Sequence, residues 1–194
     1  MSRSTTGLYA ALAATDTYLA ATGQDRSRRL TKPLLMPLLM IGCDRPTQRA
    51  LALGGAGDIA LLGSSNNSFK VGLGSFLAGH VGWVTALRGR SSGRWREHPL
   101  VALSYVGAWA GLNSYLWRRT GGDRVPVLVY SSALLATALA ALDTGDPVTA
   151  LGGCLFLTSD ALIALDRFSD VHLPHHEGLV MASYTTAQAL LSRT

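Results

Sequence analysis

The sequence predicts an all-α fold, a polytopic integral membrane helical bundle of about eight transmembrane helices forming a single membrane domain over residues 1–194. Three observations predict it. Only 15% of the residues are charged, against roughly 25% in soluble domains. Mean hydropathy is +0.24. The apolar residues are gathered in blocks rather than in amphipathic stripes, and short basic or Gly/Pro-rich breaks separate the blocks.

Taken in order, the blocks give helices at about Thr5–Ala21, Leu30–Cys43, Ala50–Leu62, Phe69–Leu87, Pro99–Trp117, Val125–Leu142, Pro147–Leu165 and Glu177–Leu191. The first lacks a strong basic leader and contains Asp16, so it reads as a retained membrane helix rather than a cleavable signal. The second and third are short against the roughly 20 apolar residues of a perpendicular span; the alternative is one re-entrant hairpin and six full spans. In the fourth, Gly74, Ala78 and Gly82 recur every four residues, a small-residue stripe that lets helix backbones approach closely. Between helices lie a polar basic loop at Gln24–Arg29, a turn at Asp44-Arg45-Pro46 and another at Ser64–Ser68. Further on come the arginine-rich Arg88–His98, the Gly121-Gly122 break and Thr144-Gly145-Asp146-Pro147, where proline suits the first turn of the next helix. Basic residues divide evenly between the two sides of such a bundle. The positive-inside rule therefore does not decide orientation, the cluster Arg88–Arg96 being the single lean towards a cytoplasmic N-terminus.

Net charge +5 and a pI near 9.6 would suggest nucleic acid on a soluble protein. Here the arginines cluster in the breaks, where they meet lipid headgroups, and no nucleic-acid partner is expected. Cys43 and Cys154 are far apart and show no CxxC spacing, so they read as small apolar fillers rather than a disulfide or metal pair. His172, His175, His176 and Glu177 crowd one loop without HExxH geometry, and no metal is expected there.

Three ionisable residues interrupt the apolar blocks: Asp58 within Gly57-Asp58-Ile59, Asp160 within Gly152–Leu165, and His80 within Phe69–Leu87. Such groups at membrane depth cost several kcal/mol unless paired or hydrated and default to functional candidates. Two carboxylates in one low-dielectric cavity can divide into a general acid and a general base, which suits hydrolysis. A proton or cation relay in a small transporter or proton-coupled channel is the alternative use of the same acids. Carboxylates tied to helix-end amides or hydroxyls, Ser159 among them, and a histidine bonded to a neighbouring carbonyl are the purely structural readings. Asp16 is a further buried-looking acid that could pair with Lys32 at the opening of the second helix. Glu177, Met181, Tyr184 and Gln188 fall on one face of the last helix; Tyr184 and Gln188 can hydrogen-bond a substrate or the carboxylates, and Glu177 suits a helix start.

Several of these residues stand in a distinctive order: Lys32-Pro33-Leu34, Gly57-Asp58-Ile59-Ala60-Leu61-Leu62, Phe69-Lys70-Val71-Gly72-Leu73 with Phe76 and His80, Ser159-Asp160, and Tyr184 to Gln188. The set resembles the YhhN-like lysoplasmalogenase family over most of the chain. That resemblance implies an eight-helix enzyme of the cell membrane that hydrolyses the vinyl-ether bond of lysoplasmalogens. Its products are a fatty aldehyde and glycerophosphocholine or glycerophosphoethanolamine, and it needs no cofactor. It implies catalytic roles for Asp58 and Asp160, with Lys32, His80, Tyr184 and Gln188 lining a lysophospholipid site, and leaves open which aspartate is the acid. Trp83, where the family more often has tyrosine, is a departure expected to change the pocket's shape.

Overall fold

The computed structural model describes residues 3–63, 65–93 and 99–193. They form eight α-helices: α1 (Arg3–Ala21), α2 (Asp25–Met40), α3 (Arg45–Ala60), α4 (Asn66–Arg88), α5 (Pro99–Leu116), α6 (Arg124–Asp143), α7 (Pro147–Phe168) and α8 (His176–Leu191). A single 3-10 turn, Gly121–Asp123, precedes α6. No strand occurs among the described residues. Ser64, Arg94, Arg96 and His98, which figured in the expected breaks, lie outside the described residues.

Local chemistry sets the ends. The Asp44 carboxylate accepts from the Thr47 amide at 3.0 Å with Pro46 in the first turn of α3. Ser65 caps α4 through the Ser68 amide at 3.0 Å, so the helix begins at Asn66 inside what the sequence presents as a turn. Asp146 accepts from the amides of Val148 and Thr149 and from the Thr149 hydroxyl at 2.6 Å. That hydroxyl bond, ahead of all other influences, holds the Asp146 carboxyl below the usual carboxylate range.

The basic stretch expected as a loop at Gln24–Arg29 is instead the first turn of α2, which starts at Asp25. An acid at the N-terminus favours the helix dipole, and Arg28 is fixed from outside by Glu177 at 2.7 Å. Lys32 therefore sits two turns inside α2 rather than opening it. Pro33 and Pro37 are also internal, tolerated because neighbouring helices hold a backbone that has lost two of its donors.

Packing order follows a ring. α1 meets α2, α2 meets α3, α3 meets α4, α4 meets α6, α6 meets α7, α7 meets α8, and α8 returns to α1; α5 lies outside the ring against α6 and, to a lesser degree, α7. The closest approach is α3 on α4, but not along the expected stripe. A Cβ on Gly82 would lie 3.0 Å from the Ala50 Cα, and one on Gly79 3.3 Å from the Gly54 nitrogen, whereas one on Gly74 would meet nothing within 4 Å. The contact runs through Gly72, Gly79 and Gly82; Gly74 faces open space on the other side.

Gly121–Asp143 and Pro147–Phe168 are each long and apolar enough to cross a membrane. Large apolar side chains are exposed on these helices and on others, among them Val129, Leu151, Leu100 and Leu103. A contiguous apolar exterior of this kind marks contact with lipid or a partner, and the chain is an all-helical membrane bundle. α2 and α3, at 16 residues each, are about 24 Å long, shorter than the roughly 30 Å hydrocarbon core.

Candidate active site

Asp58 lies within one turn of the C-terminal end of α3, pointed into the ring and 2% exposed. Its neighbour Gly57 leaves room for the Phe76 ring, which a Cβ there would meet at 2.6 Å. Two partners converge on the carboxylate. Lys32 Nζ of α2 stands 3.3 Å from Oδ1, and Tyr184 Oη of α8 donates to Oδ2 at 2.7 Å. Among the described residues no backbone amide tethers the Asp58 carboxylate.

Asp160, on α7, is held by a second set of helices. Tyr130 Oη of α6 donates to its Oδ2 at 2.5 Å. His80 Nε2 of α4 lies 3.3 Å from the same phenol oxygen and 3.9 Å from Oδ2. A phenol has one proton to give; with it committed to Asp160, Nε2 must carry the ring proton and donate to Tyr130. His80 Nδ1 lies 3.2 Å from Thr137 Oγ1, whose own proton has the Ala133 and His80 carbonyls within reach at 3.1 and 3.3 Å. His80, Tyr130 and Asp160 thus form a directed chain, and His80 is not tied to a carbonyl. Ser159 turns away and donates to the Val180 carbonyl at 3.3 Å.

Phe156 joins the two clusters. Its ring centroid is 4.8 Å from that of His80 and 5.6 Å from that of Tyr184. Both carboxylates open onto one cavity of about 580 Å³, walled by α3 to α8 with Lys32 of α2. Besides Lys32, Asp58, Tyr130, Asp160 and Tyr184 the lining includes Lys70, Asn113, Asp123, Ser131, Ser159 and Arg167; the rest is apolar, with Leu73 and Leu77 from α4 and Trp109 and Leu112 from α5. This distribution is that of a small-molecule site, apolar with a few convergent polar groups.

Of the residues singled out in the sequence, Lys32, Asp58, Asp160 and Tyr184 line this cavity. His80 stands behind Tyr130. Gln188 is buried one turn beyond Tyr184, with Gly54 between the two side chains. The remaining assignments change. Asp16 is paired not with Lys32 but with Thr31, whose hydroxyl donates at 2.5 Å, and with Arg28 at 3.8 Å; the extension of α2 to Asp25 turns Arg28 towards Asp16 and releases Lys32 to Asp58. Trp83 is buried in the core and off the cavity wall, so it does not alter the lining. The loop histidines are held by the Asp166 carboxylate for His172, the Ala21 carbonyl for His175, and the Leu162 carbonyl for His176, with Asp166 4.0 Å from His176 as well. Tyr130 and Phe156 carried no signal in the sequence beyond being aromatic residues within apolar helices; a phenol in such a helix needs a hydrogen-bond partner when buried, and that was the one available cue.

Fold and site together define a helical membrane protein with two carboxylates converging on an apolar cavity. Residues 27–194 match the YhhN family, and the chain belongs to that family. Neither the curated proteins nor the solved structures include a significant match to the chain.

Proposed function

We propose that this protein is a lysoplasmalogenase of the cell membrane. In this reading it crosses the bilayer several times and hydrolyses the vinyl ether of a 1-alkenyl glycerophosphocholine or glycerophosphoethanolamine. The observation that carries the reading is the opening of both Asp58 and Asp160 onto one apolar cavity, each with its own proton-donating partners. Family membership supports it.

Hydrolysis of an enol ether begins with proton transfer to the β-carbon and passes through an oxocarbenium ion. Asp160 is assigned as the acid, because Tyr130 and His80 form a hydrogen-bonded path along which its proton can be replaced. Asp58 is assigned to the cation and to water. Lys32 supplies the counter-charge that an ionised Asp58 requires, and Tyr184 fixes the orientation of the carboxylate. Proton delivery from Asp160 generates the cation, which Asp58 stabilises across the cavity. Water then adds to the carbon bearing oxygen and gives its proton to Asp58. The resulting hemiacetal collapses: its hydroxyl proton passes to the departing glycerol oxygen, and the fatty aldehyde is released. One water is consumed, and the proton gained by Asp58 balances the one lost by Asp160. The chain's own residues suffice for each of these steps.

The test is aldehyde release from an alkenyl lysophospholipid by purified protein in detergent. Asp58→Asn and Asp160→Asn are each expected to abolish it in protein that circular dichroism shows to be folded, Asp58→Asn at lowered stability because it strands Lys32. Full activity in either variant would remove that aspartate from the mechanism; ion flux without aldehyde would favour a transporter.

A further inference from the structure

A second cavity, of about 390 Å³, adjoins the first, with Lys32, Leu61, Ile163 and Met181 lining both. Its character is different. Asp25, Arg28, Arg29, Glu177 and His176 face it, and among the described residues no Phe, Tyr or Trp lines it. The two spaces are therefore one compartment, its larger part mostly apolar and its smaller part richer in charged groups, meeting at Lys32 beside Asp58.

The charges are not equally free. Arg28 is engaged by three acids: Glu177 at 2.7 Å, Asp25 at 3.7 Å and Asp16 at 3.8 Å. Lys32 is held by Asp58. Arg29, one residue along and exposed, has no acidic partner among the described residues. A guanidinium is suited to a phosphate by its fork of donors. Asp25 and Glu177 each keep most of their side chain exposed, 76% and 57%, and so retain acceptor capacity beyond Arg28. A cation with N–H donors can use that capacity. A quaternary ammonium has no N–H and is bound over the faces of Trp, Tyr or Phe, none of which lines this cavity among the described residues.

We propose that the second cavity is the headgroup chamber of the lipid site and that it selects a primary ammonium: Arg29 takes the phosphate, and Asp25 with Glu177 takes the amine of a phosphoethanolamine headgroup. The inference rests on the reading of the larger cavity as a single-chain lipid site. It adds to that reading a headgroup location and a preference for ethanolamine over choline.

The test uses 1-alkyl lysophospholipids, which lack the vinyl ether and cannot be turned over by that chemistry. Binding of the ethanolamine and choline forms to purified protein in detergent is measured for the wild type, Arg29→Gln and Asp25→Asn. The wild type is expected to bind the ethanolamine form about tenfold more tightly, the equivalent of one charge-assisted hydrogen bond. Arg29→Gln weakens both ligands about tenfold and leaves their ratio unchanged. Asp25→Asn brings the ratio towards unity. Both side chains are exposed, so the melting temperature of each variant is expected to stay at the wild-type value and serves as the folding control. Equal wild-type affinity for the two headgroups overturns the selectivity, and unchanged binding by Arg29→Gln overturns the phosphate assignment. If alkenyl lipids release no aldehyde while the alkyl lipids show the expected pattern, the hydrolase reading falls and the headgroup chamber stands.

Discussion

Lys32 and Asp58 face each other 3.3 Å apart across the α2–α3 contact, and both side chains are about nine-tenths buried or more. Taking two such charges out of water is costly, and the pair compensates each of them. Lys32→Met is expected to lower stability by about 3–5 kcal/mol, the cost of leaving a buried charge without its partner. Adding Asp58→Asn to that variant should recover much of the loss, because the stranded charge is then gone. Thermal melts of the two single variants and the double variant close the cycle; strictly additive losses would show that the two side chains are uncoupled.

Tyr130 touches both His80 and Asp160 and lines the cavity. Tyr130→Phe keeps the ring against His80 and removes the hydrogen-bonded link. The expected result is a fall in kcat of about 100-fold, the lower end of what general acid catalysis contributes, with KM near the wild-type value. An unchanged kcat would show that Asp160 exchanges its proton by another route.

Glycines on α4 offer a paired test of the packing. Gly82→Ala places a Cβ 3.0 Å from the Ala50 Cα, and a backbone neighbour cannot give way as a flexible side chain can. It is expected to cost about 1–3 kcal/mol. Gly74→Ala meets nothing within 4 Å and should be neutral or stabilising by about 0.5–1 kcal/mol, as for alanine over glycine inside a helix. Chemical denaturation of the two variants compares them directly; equal effects would contradict the α3–α4 register.

The Asp146 cap predicts a dependence on acid. Its carboxyl titrates lower in the folded chain than in the unfolded one because Thr149 donates to it. The cap's contribution is therefore complete above the unfolded value, about pH 3.9, and is lost as pH falls through the folded value. Asp146→Ala should cost about 0.5–2 kcal/mol at neutral pH, towards the lower end since the group is exposed. The difference from wild type should shrink below pH 4. Stability curves against pH for the two proteins check the sign.

The helices were most legible where an apolar block is preceded by a capping side chain, as at Asp44 and Asp146. Asp146 with Pro147 marks α7 in the sequence as plainly as in the structure. Where the signal was composition alone, it misled: Asp25-Arg26-Ser27-Arg28-Arg29 is as polar as a loop and yet helical, because Asp16 and Glu177, far off in sequence, hold Arg28. Asp58 and Asp160 stood out because a carboxylate in an apolar run needs a reason. Their partners were legible only in part. Tyr184 shares a face with Gln188, a helical periodicity that can be read directly. Tyr130 shares nothing with Asp160 until α6 and α7 pack, and the same is true of the choice of Lys32 between Asp16 and Asp58.

The Tyr184–Asp58 hydrogen bond joins residues 126 positions apart, and α8 fills the ring between α1 and α7. During synthesis Asp58 therefore enters the membrane well before its phenol donor exists. Until α8 arrives, the nascent bundle holds a carboxylate paired with Lys32 but lacking its phenol donor, and a ring open along one side. Assembly of the site is thus coupled to the arrival of α8. A polypeptide stopped short of Tyr184 would be left with an unsealed polar cavity, a recognisable mark for membrane quality control.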